Sequence, residues 1–166
     1  MFRRLTGSDV VPYRDLRIEG LRTHPTAFGA LWEDEASQPL TWFAERLEHS
    51  TVLAAGSHAG SALAGVVGLQ VPDAAKLRHK GIIWGMFVRP EVQGMGVGAA
   101  LLDRILDHAA HVVEEVRLTV VASNAAAMRL YSHAGFKEYG LERRALKVDG
   151  SYHDEVMMTL AFSRPR

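Results

Sequence analysis

Apolar residues recur along this chain at a period that shifts between two and about 3.6, and each shift marks a predicted element. Residues 2–5 form a short first strand. Ser8 or Asp9 suits the N-cap of a helix over 10–22, where Val11, Arg14, Ile18 and Leu21 keep a rough helical spacing although Leu16, Glu19 and Gly20 interrupt an ideal stripe. His24-Pro25 ends it, because a residue before proline is pushed out of the helical region. Residues 26–39 read as a loop or broken helix, and Thr41 caps a short helix through Leu47. Apolar runs at 51–55 and 62–71 flank the turn residues His58 to Ser61 and predict a hairpin. After a polar loop, 81–88 is a continuous apolar run of buried-strand type, stopped by Arg89-Pro90. Leu102, Ile105, Leu106 and Ala109 recur at helical spacing and predict a helix from 99 to about 111. The β-branched run 116–121 predicts a strand. Ser123 or Asn124 then caps a helix with Ala127, Leu130, Tyr131 and Ala134 on one face and Gly135 at its end. Asp149-Gly150 sets a hairpin between 141–148 and 151–162. The order is β, αα, βββ, α, β, α, ββ: an α+β chain with a mixed sheet and helices on its faces.

Composition narrows the chemistry. The chain has 166 residues, 48% of them apolar and 23% charged, with no repeat or linker, so one domain over 1–166 is expected. It contains no cysteine, which excludes a disulfide framework, a thiolate metal site and a cysteine nucleophile. Nineteen basic and nineteen acidic side chains give zero formal charge, which is no footprint for nucleic acid. No stretch approaches the roughly 18 apolar residues of a membrane span, and the first residues lack a signal-peptide core, so the expected location is the cytoplasm with no membrane partner. His108 and His111 share a helical face without a carboxylate or cysteine nearby, and no metal is expected there.

The informative stretch follows the apolar strand. Gln93, Gly94, Met95, Gly96, Val97, Gly98 and Ala99 make a glycine-rich turn that opens into a helix. Three alternate glycines remove Cβ atoms and let backbone N–H groups converge at a helix N-terminus carrying roughly half a positive charge, a site for phosphate. No Lys-Ser/Thr follows, and the glycine spacing is not that of a dinucleotide fingerprint. Close packing of the helix on the sheet is the alternative reading of the same glycines.

Gln93-x-x-Gly96-x-Gly98, preceded by Val88-x-Pro90 and followed by Leu101-Leu102, resembles the acetyl-CoA signature of the GCN5-related N-acetyltransferase (GNAT) superfamily. Downstream, Asn124, Ala127, Leu130, Tyr131, Gly135 and Phe136 are similar to that family's Asn-x-x-Ala-x-x-Leu-Tyr-x-x-x-Gly-Phe segment. The resemblance implies a mixed, mostly antiparallel sheet of six to seven strands, helices on both faces and splayed central strands. It implies that the amides of Gly94 to Ala99 hold the CoA pyrophosphate with Gln93 at the turn's entrance. Met86, Phe87 and Val88 would pair with the pantetheine amides, Asn124 would meet the pantetheine end, and Tyr131 would face the thioester sulfur as general acid. Gly85 would mark the bulge that splays the strands.

Without a cysteine, the implied route is direct attack of an amine on acetyl-CoA, with no metal. An alkyl amine with a pKa of about 10.4 is neutral in about one part in a few thousand at pH 7, a handicap of roughly 4 to 5 kcal/mol, so a base or water chain is needed. In the ribosomal-protein acetylating branch a glutamate stands five residues before the motif asparagine; here that position is Thr119. Candidate bases are Glu33, Glu35 and His79, with Asp154 or Glu155 near the last strand. The implied acceptor site draws on Phe28, Trp32 and Glu33 from the N-terminal segment, with Tyr152 and Arg144 opposite. The acid run Glu33-Asp34-Glu35 favours a small cationic amine over a protein N-terminus or lysine. A non-catalytic acyl-CoA sensor is the rival, a longer acyl chain is open through Trp84, Met86 and Phe87, and the assembly is monomer or homodimer.

Overall fold

A computed structural model describes residues 1–163 of the chain. Its strands are β1 (Phe2–Arg4), β2 (Thr51–Gly56), β3 (Leu63–Gln70), β4 (Lys80–Val88), β5 (Glu115–Val121), β6 (Lys137–Val148) and β7 (Ser151–Ala161). Its helices are α1 (Val10–Thr23), α2 (Trp32–Ala36), α3 (Leu40–His49), α4 (Val97–Val112) and α5 (Ala125–His133). The strands form one seven-stranded sheet in the order β1-β2-β3-β4-β5-β7-β6. Neighbours are antiparallel except β4 and β5, which run parallel. This is the mixed α+β architecture expected. Among the described residues, no helix is long and apolar enough to cross a membrane.

Differences from the expected elements have local causes. Residues 26–39 resolve into a 3-10 turn at Pro25–Ala27 and the five-residue α2. Pro39, not Thr41, occupies the N-cap of α3, where its fixed φ of −70° leads into the first turn. Strand β6 starts at Lys137, four residues before the apolar pattern begins, because its early residues pair with β7 while their side chains stay in solvent. The buried face of α1 is Tyr13, Leu16, Arg17, Gly20 and Leu21, and Val11 is exposed. The expected stripe is thus wrong by rotation: the helix buries a charged residue that a hydrophobic pattern counts as polar.

Each face of the sheet carries its own core. Under α4 and α5, Leu101, Leu102, Ile105, Leu106 and Ala109 pack with Val116, Leu118, Val120 and Met158. On the other face, Tyr13, Leu16 and Leu21 of α1 and Phe43 and Leu47 of α3 pack on Val52, Ala54, Val66 and Phe87.

The middle of the sheet is open. The parallel pair β4–β5 holds only over Lys80↔Glu115, Gly81↔Val116 and Ile82↔Arg117, although both strands continue further. Beyond that point they part. On its other side β4 stays paired with β3, but the register slips between Val66↔Phe87 and Gly68↔Trp84, so Gly85 and Met86 together oppose Val67. This is a β-bulge, and Gly85 sits in it at φ 63°, a conformation glycine adopts without Cβ strain. Before the bulge Ile83 faces the α4 core and Trp84 the α1 core; after it Met86 and Val88 face α4 and Phe87 faces α1.

A charged staple closes the N-terminal end. Asp9, fully buried, accepts from Arg3 at 2.6 and 2.8 Å and from the N–H groups of Thr6 and Gly60 at 3.0 Å. The Arg3 hydrogen bonds outweigh the burial that opposes them and, with the two N–H donors, hold the Asp9 carboxyl well below the usual carboxylate range. A depressed folded pKa adds stability that is present above the unfolded value, about pH 4, and is lost as pH falls through the folded one. Asp9→Ala is expected to cost about 3 kcal/mol at pH 7 in urea unfolding, with the gap to wild type narrowing below about pH 4.

Candidate active site

The turn after β4 presents backbone N–H groups at the start of a long helix. Gln93 Nε2 donates to the Val88 carbonyl at 2.9 Å, fastening the turn to the end of the strand. Gly94 and Gly96 adopt φ 76° and 79°, and Gly96 is the N-cap of α4. The first helical bond runs from Ala100 N–H to the Gly96 carbonyl at 3.0 Å, so the amides of Val97, Gly98 and Ala99 precede any intrahelical acceptor. They open a sixteen-residue helix whose dipole adds positive potential there. A Cβ on Gly94 or Gly96 would meet nothing within 4 Å, so tight packing is not what requires these two glycines. Gly98 does face the protein, and a Cβ there would stand 3.5–3.8 Å from Met86, Val88 and Leu130.

This turn lies at the end of a strand whose β5-facing edge is unpaired by β5 past Ile82. Asn124 caps α5, its Oδ1 accepting from Ala127 N–H at 3.1 Å, which leaves the side-chain NH2 without an acceptor among the described residues. Tyr131, on the same helix, is 8% exposed and packs edge-on against Phe136 at 5.8 Å. Burial pushes its phenol up to about 12, and its hydroxyl makes no hydrogen bond among the described residues.

Where β4 and β5 part, a cleft of about 520 Å3 opens on the α1 face. Its lining includes Phe28 and Arg17, Trp84 and Gly85 of β4, Arg117 and Thr119 of β5, Tyr139 of β6, and Glu155 and Met157 of β7. Arg17 anchors one wall. Its Nε and Nη2 each donate to Glu35 at 2.9 Å, and Arg46 approaches the same carboxylate at 3.3 Å. The Arg17 guanidinium lies 4.9 Å from the Phe28 ring centre and 5.8 Å from Trp84, and that of Arg46 lies 4.2 Å from Trp42. On the opposite wall, burial and then the cross-strand charge of Glu142 raise the Glu155 carboxyl above the usual range.

The sequence profile of the Acetyltransferase (GNAT) family matches residues 17–136, more than two thirds of the chain. The chain belongs to the GNAT acetyltransferase family. Over 123 residues it is 36% identical to the mycothiol acetyltransferase of Beutenbergia cavernae, which covers 73% of this chain and 39% of that protein. It is 34% identical over 82 residues to the ribosomal protein bS18-alanine N-acetyltransferase of Escherichia coli K12, covering 49% of this chain and 55% of the relative. The chain thus spans about two fifths to just over half the length of these curated relatives. A GNAT-family acetyltransferase from Streptococcus pneumoniae shares the fold with a TM-score of 0.83 over 98% of this chain and 99% of that one, at 20% identity.

Within this GNAT fold the residues singled out in the sequence are distributed unevenly. Gln93 to Ala99 and Met86 to Val88 are contiguous, and Asn124 and Tyr131 share α5. Phe28 reaches the cleft lining. Glu33 and Trp32 stand exposed on α2 outside that lining, and Glu35 points inward into the Arg17 pair. His79 lies beyond the sheet's other end, its carbonyl accepting from Glu114 N–H at 2.8 Å. Tyr152 is half exposed at the last hairpin with the Arg144 guanidinium 3.9 Å from its ring centre, and Asp154 accepts from Arg144 N–H at 2.8 Å. The expected acidic wall is therefore not part of the cleft. Arg17, Arg117 and Tyr139 do line it, and their sequence neighbourhoods carry no motif that marks them. Gly85→Ala is expected to lose about 1 to 2 kcal/mol in urea unfolding, because alanine resists φ 63° and its methyl would lie 3.3 Å from Arg17 Nη1.

Proposed function

We propose that the protein transfers an acetyl group from acetyl-CoA directly to a primary amine. The observation that carries this reading is the turn of unclashed glycines and free amides at the foot of a strand whose edge is open toward the cleft. Those features fit a pyrophosphate followed by an amide-bearing arm. Bound acetyl-CoA would supply an acyl group activated as a thioester. The turn amides of Val97 to Ala99 bind the phosphates, the free edge of β4 aligns the arm, and the Asn124 NH2 is available to one of its carbonyls. Both named relatives are acetyltransferases, one of them an alanine N-acetyltransferase, which supports an amine acceptor.

In this reading the amine first gives its ammonium proton to water, its nitrogen then forms the new C–N bond as the C–S bond breaks, and two groups of the chain assist, one as base and one as hydrogen-bond donor. Glu155 takes the proton that becomes acidic as the C–N bond forms, since Thr119 beside it in the cleft has no basic group. Tyr131 faces the departing sulfur. Full transfer from a phenol near 12 to a thiolate near 8.5 is uphill by about 5 kcal/mol, so Tyr131 keeps its proton and stabilises the thiolate as a hydrogen-bond donor. Solvent then protonates the free CoA thiolate. The cytoplasmic location and the single domain expected from the sequence belong to this proposal. The lean toward a small cationic amine does not, because Glu33 and Asp34 lie outside the cleft lining.

Free-thiol release from acetyl-CoA with a panel of amines, beside calorimetric titration of acetyl-CoA, tests the reading. Tyr131→Phe is expected to lower turnover about 10- to 100-fold while acetyl-CoA still binds. Binding with no release from any amine would leave a sensor, and no binding at all would overturn the assignment of the turn. Because the Glu155 carboxyl is raised, its base form is lost as pH falls through that raised value, so kcat/KM should drop on the acid side. Glu155→Gln should lower kcat about 100-fold and remove that acid limb; an unchanged limb would exclude Glu155 as the base.

A further inference from the structure

We propose that the acceptor amine carries a carboxylate, as a free α-amino acid does, and that Arg17 and Arg117 bind it in the cleft between β4 and β5. The inference rests on the transferase reading above and adds the chemical class of the acceptor.

Arg17 supplies the first observation. It is 6% exposed, and two of its three nitrogens are committed to Glu35. The third, Nη1, makes no hydrogen bond among the described residues and lies beside Gly85 in the cleft lining, 3.3 Å from where a Cβ there would stand. Guanidinium is a donor only, so this nitrogen asks for an acceptor atom. The glycine that forms the bulge also leaves that nitrogen uncovered.

Charge supplies the second. Arg17 and Arg46 share the one carboxylate of Glu35, so the cluster holds one positive charge in excess, with Arg17 and Glu35 buried and Arg46 partly exposed. The rings of Phe28, Trp42 and Trp84 relieve part of that excess, but no second carboxylate is paired to it among the described residues. A buried charge without a counter-ion is costly, and a ligand carboxylate would lower that cost on binding.

Arg117 supplies the third. It faces the same cleft from β5, with no ion pair or hydrogen bond among the described residues. The cleft thus presents one uncommitted guanidinium group, Arg117, the free Nη1 of Arg17, and one carboxylate, Glu155, which is itself in no ion pair among the described residues. A ligand with an amine near a carboxylate complements all three: its carboxylate meets the arginines and its amine faces Glu155. A polyamine would place a second cation where the cleft already holds an excess.

The test is thiol release from acetyl-CoA with the twenty L-α-amino acids, their carboxamides, putrescine and a dipeptide series with acidic second residues. The inference expects at least one free amino acid to exceed its own carboxamide at least tenfold in kcat/KM. Arg117→Gln, at an exposed position, should bring that ratio toward one. Arg17→Lys should do the same if it folds, and the Arg117 variant decides the matter if it does not. Dipeptides exceeding every free amino acid would move the source of the carboxylate to a peptide and overturn the free amino acid assignment. Putrescine or the carboxamides matching the acids, or a ratio unmoved by Arg117→Gln, would overturn the inference while leaving the transferase standing. No release with any probe would overturn the transferase reading and this inference with it.

Discussion

Backbone N–H and C=O groups inside a protein need partners, and along β4 past Ile82 the β5 strand does not provide them. The rest of the site follows from that gap in the ladder. A sheet that loses pairing in its middle must be held together elsewhere, and here β5 is carried by β7 along its whole length while β4 is carried by β3. The two halves are bridged by α4, which packs on β2, β3, β4 and β5 alike. Its N-terminus is thereby packed beside the end of β4, which sets the free amides of the turn next to the free edge of the strand.

The other face is held by charge rather than by more hydrocarbon. Arg17 of α1, Glu35 of α2 and Arg46 of α3 tie three helices into one wall, with aromatic rings packed over the guanidinium planes. A buried ion cluster is a weak source of stability, because desolvation offsets most of the attraction, but it is demanding about geometry. The short α2 shows this most clearly. Five residues are too few for a helix to persist alone, and its one buried side chain is Glu35. What fixes α2 is thus the same cluster that shapes the cleft.

The parts of this protein that are legible in the sequence are those whose signals are local. The run 81–88, the glycine turn, the Leu102 to Ala109 periodicity and the Asn124 cap each announce themselves within a dozen residues, and they make up the β4–turn–α4 segment and the start of α5. The cleft wall on the α1 face depends on pairings across long stretches of chain. Arg17 and Glu35 are eighteen positions apart, and neither looks like a core residue until the other is beside it. Consecutive acids at 33–35 look like one charged surface, but a helical turn sends Glu33 and Glu35 to different environments. Glu155 is visible as a candidate, and what distinguishes it from Asp154 is the alternation of a strand, which sends one carboxyl to the cleft lining and its neighbour to the hairpin backbone.

The bulge at Gly85 changes the parity of β4. In an uninterrupted strand Trp84 and Met86 would point to the same side, and any change to one would be felt by whatever the other touches. With one extra residue inserted between them they serve opposite faces, Trp84 on the α1 side and Met86 on the α4 side. Two neighbouring positions are thereby decoupled. A substitution at Trp84 is therefore felt under α1 and α3, and one at Met86 under α4, with neither reaching the other's core.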